Sequence, residues 1–195
     1  TQTSGGVTVS SVYFAEHAAA GIAALQTAAA AITTYSEKFG AYPYPSFTIV
    51  EGDFYDGMEY SGMSFVGASY YQEYDRSPQN LLVLIAAHET AHQWWHSRVG
   101  NDPALEPWLD ESLATYSELI FIEAQHPQSA AWWWRFRVEQ FQPMGAVNSP
   151  IYAFNDFRLY VNAVYLRGAQ MLHTMRQKSG EKNFGAFLKS YVNTN

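Results

Sequence analysis

Apolar positions recur at helical spacing through residues 14–39. Ile22, Leu25, Ala29, Ile32 and Phe39 stand there in Ala-rich text, and the pattern predicts one long helix. Gly40 ends it, and Pro43 and Pro45 impose a rigid turn. Residues 1–10 read as a flexible lead-in. Residues 46–50 read as a short strand, 51–62 as a loop rich in Gly and Asp, and 63–68 as a second strand at a sheet edge beside a cleft. Residues 70–80, polar and aromatic, read as loop. At Leu81 the pattern changes: every residue to Ala87 is apolar, so the helix predicted over 81–97 must begin fully buried. A connection over 100–107 carries two prolines. A further helix starts between Glu106 and Asp110 and ends before Pro127. A third spans 129–141 and stops at Pro143, and 159–177 and 183–191 complete a helical half. Strands come before about residue 70 and helices dominate after it, which is an α+β order within one domain.

Composition narrows the function classes. With 195 residues, 48% of them hydrophobic, the chain can bury a substantial core and is not a disordered acidic segment. A net charge of −7 argues against nucleic acid, whose phosphates call for clustered Lys and Arg. The absence of Cys excludes disulfides, a thiol nucleophile and thiolate-bound metal. The longest unbroken apolar run, Leu81 to Ala87, is too short for a membrane span, and the first residues lack the pattern of a signal peptide. Because the chain begins on Thr, it reads as a segment of a longer protein.

The chemistry concentrates in His88-Glu89-Thr90-Ala91-His92. Two residues four apart on a helix differ by about 40° around the axis and about 6 Å along it, so both imidazoles project from one face and can converge on one ion. Glu89, about 100° from His88, can reach a water on that ion without ligating it. Imidazole and carboxylate donors suit zinc. The apolar run before His88 places these rings at a buried depth, where unpaired polar groups would cost a few kcal/mol; a metal removes that penalty. A metzincin would carry Gly and a third His where Trp95 and Arg98 stand, so that class is excluded. His96 lies about 12 Å along the axis from His88, too far to share its ion, and reads as a helix-end residue. The third donor must then be a carboxylate of the next helix. Glu106, Asp110, Glu111 and Glu118 all qualify by type.

His88-Glu-Thr-Ala-His92 followed after eighteen residues by Glu111, with His92-Gln93-Trp94 and Trp108-Leu109-Asp110-Glu111-Ser112-Leu113-Ala114, resembles the gluzincin aminopeptidases, specifically the aminopeptidase N family. The resemblance runs over about residues 35–188. It implies the thermolysin-like zincin catalytic domain: α+β, with a small N-terminal mixed sheet followed by a mainly helical half. It also implies flanking domains in the full-length protein. By resemblance, one zinc ion is held by His88, His92 and Glu111, and Glu89 is the general base. Glu118, seven residues beyond Glu111 on the same helix face, could hydrogen-bond a ligating His. Tyr165-Leu166-Arg167-Gly168-Ala169 is similar to the family's Tyr-x-Lys-Gly-Ala, with Arg167 in place of Lys. Tyr165 is thereby implied as the oxyanion donor, with Tyr160 as the fallback. Asp56-Gly57-Met58-Glu59-Tyr60 is similar to the family's Gly-Ala-Met-Glu-Asn. Gly57, Met58 and Glu59 are thereby implied in substrate binding, with Glu59 receiving the α-amine of peptides that have a free N-terminus. The expected function is aminopeptidase; the alternatives are a thermolysin-like endopeptidase and a zinc-containing scaffold. Trp132, Trp133 and Trp134 spread over about 200° of a helix, so at least one is expected to pack against a domain outside this chain.

Overall fold

A computed structural model describes residues 1–194. In chain order the elements are β1 (Gln2–Ser4), β2 (Val7–Val12), α1 (Ala18–Phe39), β3 (Ser46–Gly52), β4 (Gly57–Tyr60), β5 (Met63–Gly67), α2 (Ala68–Gln72), α3 (Leu81–Trp95), α4 (Trp108–Gln125), α5 (Ala130–Trp133), α6 (Phe157–Tyr160), α7 (Arg167–Ser179) and α8 (Glu181–Thr194). The strands form one mixed sheet in the order β1-β2-β3-β5-β4. β2, β3 and β5 run parallel, and β1 and β4 close the two edges antiparallel. The small mixed sheet followed by a helical half is the α+β order expected from the sequence.

Parallel pairing of β2 with β3 needs a long crossover, and α1 supplies it. Val9, Phe47, Ile49 and Val66 form the sheet's contribution to the core, and Ala24, Ala28 and Ile32 of α1 are equally sealed. By length and composition alone, the helical stretch Ala15–Phe39 could cross a membrane, but 61% of its apolar window is buried within this fold. It is a core helix here. At its C-terminal end Tyr35, Phe39, Trp94 and Trp95 meet as a ring cluster. The Tyr35 hydroxyl donates to the carbonyls of Ala87 and Ser117, tying α1 to α3 and α4 at once.

Three expectations are corrected. Residues 1–10 are not a flexible lead-in. The alternation Val7-Thr8-Val9 buries both valines and makes β2 an inner strand, a pattern too short to register beside the long helix. The loop expected over 51–62 contains β4, and β4 rather than β5 is the edge strand beside the cleft. The stretch expected as loop from residue 70 begins inside the short helix α2.

The β4–β5 hairpin turns at Ser61-Gly62, where Gly62 takes φ +78, a left-handed conformation that favours glycine. Buried Gln93 of α3 clamps this hairpin: its Nε2 donates to the Tyr60 carbonyl at 2.9 Å, and its Oε1 accepts from the Gly62 amide at 2.8 Å. The Ser64 hydroxyl donates to the Glu89 carbonyl at 3.2 Å. An edge strand is thus pinned across α3 at the level of its histidines.

The expected helix over 129–141 is a helical stretch of mixed pitch, with a π-helical turn at Trp134–Val138. The segment expected over 159–177 likewise contains a π-helical turn, Val161–Leu166, between α6 and α7. Such turns shift the face on which later side chains emerge.

Candidate metal centre

α3 begins at Asn80, whose side chain caps the Leu82 amide at 2.9 Å. Fourteen of its residues, Leu82 to Trp95, are buried. α4 starts after Pro107 and carries Asp110 and Glu111 in its first turn, where carboxylates favour the positive end of the helix dipole. That turn lies against the last two turns of α3.

His88 Nε2 is 3.2 Å and His92 Nε2 3.6 Å from Glu111 Oε2. A tetrahedral ion with bonds of about 2.0–2.1 Å sets its donor atoms about 3.3 Å apart. The three donors lie within 4.8 Å of one another, a spacing suited to one such ion. The outward nitrogens are already engaged. His88 Nδ1 donates to Glu118 at 3.0 Å and His92 Nδ1 to Asp110 at 2.5 Å, which turns both Nε2 lone pairs inward. Asp110 therefore stands behind His92, and Glu106 is exposed on the surface. Of the four carboxylates open at the level of spacing, Glu111 is the one placed to complete the set.

Glu118 is completely buried. Besides His88, it accepts from Trp133 Nε1 at 3.0 Å and from Arg137, whose Nε and one terminal nitrogen each lie 2.9 Å away. Burial opposes its ionisation, but Arg137 and His88 outweigh burial and hold the carboxyl well below its ordinary value. Burial opposes Asp110 in the same way, and His92 and His96 hold it down. For His88 burial favours the neutral ring, yet the carboxylates of Glu111 and Glu118 raise it to about 9.

Glu89 differs from its neighbours. Burial pushes its carboxyl up to about 8, against the pull of His92 and His88. Its Oε2 is buried without a hydrogen-bond partner. The head of Glu89 leans under β4 at Gly57, where an added Cβ would lie 2.1 Å from Oε1. The resembled family has Ala at this place; here the carboxylate would have to swing aside for it.

Tyr165 emerges from the second π-helical turn with its ring parallel to that of His88, centroids 6.0 Å apart. Burial and the charge of Glu111, which its hydroxyl approaches, push it well above its ordinary value. Tyr160 meets it edge-on at 5.4 Å. Gly168 explains part of the motif: an added Cβ would lie 2.0 Å from Ser112 Oγ, so glycine lets α7 close on α4 directly behind Glu111.

A cleft of about 390 Å³ joins these groups, with Gly57, Glu59, Arg137 and Tyr165 on its walls. The Glu59 carboxylate lies within 4.8 Å of donor atoms of Glu89 and His92. Met58 does not line the cleft. On an extended strand neighbours alternate, and its side chain leaves from the other face, 45% exposed. A wider depression of about 660 Å³ beside Trp134 and His173 contains none of these acidic groups.

The Trp run divides: Trp133 is fully buried, whereas Trp132 and Trp134 keep part of their surface open. Trp133 is sealed inside this chain and holds Glu118, while Trp132 stacks on Phe136 and Trp134 meets His173. Arg137 was missed in the sequence, because nothing local marks a helical Arg nineteen residues beyond the carboxylate it pairs with. Arg137→Met is expected to leave Glu118 buried without its cationic partner, held only by His88 and Trp133, costing about 3–5 kcal/mol of stability. Metal affinity should fall about 10–100-fold. Thermal melting with a competitive chelator titration checks both, and an unchanged affinity would detach Arg137 from the site.

The model for the peptidase family M1 domain matches residues 23–195. Aminopeptidase N of Lactococcus lactis subsp. lactis is 26% identical over 190 residues, which cover 86% of this chain and 22% of that protein. Endoplasmic reticulum aminopeptidase 1 of Mus musculus is 24% identical over 184 residues, covering 87% and 20%. The chain thus spans about a fifth of the length of these curated relatives. Among solved structures, an M1 zinc metallopeptidase from Deinococcus radiodurans matches with a TM-score of 0.65 and 28% identity, over 86% of this chain and 36% of that one. A mutant of an M1 zinc metallopeptidase from the same organism, bound to a Tyr-Ser-Ala substrate, matches with a TM-score of 0.63 and 27% identity, over 85% and 36%.

Proposed function

The chain belongs to peptidase family M1, and from that membership and the site's geometry we propose that residues 1–195 are the thermolysin-like catalytic domain of a longer zinc aminopeptidase. The observation that carries the reading is the convergence of His88, His92 and Glu111 with a further carboxylate, Glu59, in the same cleft. His88, His92 and Glu111 hold one zinc ion, which the donor set and its spacing suit. Bound there, zinc supplies a Lewis acid that polarises the scissile carbonyl and lowers the pKa of water. Glu89, through its unpartnered Oε2, takes the proton of the attacking water and delivers it to the leaving amine. Tyr165, beside Glu111, donates its hydroxyl hydrogen to the carbonyl oxygen as negative charge develops. Glu118 and Asp110 keep both imidazoles oriented. Glu59 receives the substrate's α-ammonium in a charge-assisted pair, which sets the cut one residue from the N-terminus. Peptides with a free N-terminus are the substrates.

An endopeptidase would have no use for a carboxylate placed like Glu59, and a zinc-holding scaffold none for a buried, unpartnered base. Glu59→Ala is expected to cost about 2–5 kcal/mol of substrate binding and positioning, a loss of roughly 30-fold to several-thousand-fold on free-amine peptides. Any cleavage of N-acetylated peptides should be untouched. Measuring kcat/KM on matched free and acetylated peptides tests this. Equal losses on both would return the reading to an endopeptidase.

A further inference from the structure

His96 has no part in the chemistry above, yet it sits between two of its components. It lies at the C-terminal cap of α3, one turn beyond His92. Its Nδ1 donates to Asp110 Oδ2 at 3.1 Å, while the other oxygen of Asp110 accepts from His92. The same Nδ1 is 3.7 Å from Glu59 Oε1. Among the described residues His96 is the one basic side chain within 4 Å of that carboxylate. Glu59 needs such a partner. It projects from an edge strand whose neighbouring side chains, Met58 and Tyr60, are exposed, and its carboxylate lies within 4.8 Å of the Glu89 carboxyl. Left alone, it would turn toward solvent. His96 cannot drift in the same way, because buried Asp110 fixes its ring from the α4 side.

We propose that His96 is a positioning residue that holds Glu59 over the cleft where the substrate's α-ammonium docks. This rests on the aminopeptidase reading and assigns the part of the site that prepares amine recognition. The chain His92–Asp110–His96–Glu59 joins the helix that carries the metal donors to the strand that carries the amine acceptor. The distance from the ion to the amine subsite is thereby set by side chains rather than by the edge strand alone. An ordered Glu59 binds the ammonium without first losing its own rotamer freedom, so the effect of His96 falls on binding.

The test is steady-state kinetics on a free-amine aminoacyl reporter with zinc-loaded protein. It compares wild type, His96→Ala, His96→Asn, Glu59→Ala and the His96→Ala/Glu59→Ala double variant, with zinc content measured for each. His96→Ala should raise KM about 2- to 5-fold, the scale of a partly exposed charged pair, and change kcat by less than about twofold. Zinc content should stay at that of wild type. Asn, whose amide nitrogen can still donate to Asp110 but carries no charge to pair with Glu59, should recover little of the loss. In the Glu59→Ala background the His96 change should add nothing, because its target is gone. An unchanged KM, a loss in kcat alone, loss of zinc or full additivity with Glu59→Ala would each overturn the proposal. Failure of the aminopeptidase reading looks different: Glu59→Ala itself would then weaken free and acetylated substrates alike, whatever His96 does.

Discussion

Glu89→Gln is expected to keep the fold and the zinc while lowering turnover by about three orders of magnitude or more. The amide is nearly isosteric but cannot accept the proton of the attacking water, and no neighbour is placed to substitute. Asp110 and Glu118 are committed to the outward nitrogens of His92 and His88. In the proposed mechanism Glu59 receives the substrate amine and Glu111 ligates the metal. The variant should also melt at or above the temperature of wild type. Glu89 is a buried carboxylate with one oxygen unpartnered and its proton affinity raised by burial, so making it neutral relieves a desolvation cost. Gain of stability with loss of activity is the signature of a group kept in place for chemistry rather than for folding. Turnover of an aminoacyl reporter, zinc analysis and a melting curve on the same preparation check all three. Loss of metal in this variant would make Glu89 a ligand and overturn the division of roles.

His92→Ala should abolish metal binding and destabilise the protein beyond the loss of the ion. Two effects add. The ion loses one of three protein donors, so occupancy should fall close to zero under mild chelation, and activity with it. Asp110, 1% exposed, also loses its shorter hydrogen bond and is left buried with only His96 beside it. Breaking a buried pair from one side costs about 3–5 kcal/mol. The melting temperature should therefore drop even when wild type and variant are compared after exhaustive chelation. Zinc occupancy equal to wild type in this variant would remove His92 from the site.

What could be read from the chain follows from how local each signal is. The His88-to-His92 spacing and the long Ala-rich helix are local periodicities and survive any tertiary context, so both elements and their shared face are legible. Gly168 and Gly57 belong to short patterns that also read directly, although their reason, close approach to Ser112 and to Glu89, is tertiary. Spacing alone left the third donor open among four acidic residues, because a carboxylate's distance from α3 depends on how α4 docks. Three strands escaped notice, and β1 is only three residues long. β2 is six residues of small β-branched and hydroxyl side chains, and β4 is four residues with one exposed face, so neither shows a period long enough to compete with loop composition. Met58 shows the opposite hazard. A residue inside a recognisable pattern was expected in the cleft, but the alternation of an extended strand turns it away. Arg137 and Trp133 reach Glu118 through a helical stretch whose π-helical turn no periodicity reveals.

The most direct measurement is a crystal structure of the zinc-loaded protein with anomalous differences recorded on both sides of the zinc absorption edge. One strong peak per chain is expected, about 2.0–2.2 Å from Nε2 of His88, Nε2 of His92 and a carboxylate oxygen of Glu111, with Glu89 close by but not bonded. A peak coordinated by Asp110 or Glu118 in place of Glu111, or by Glu89 and Glu59 together with His92, would contradict the assignment, as would no zinc peak at all.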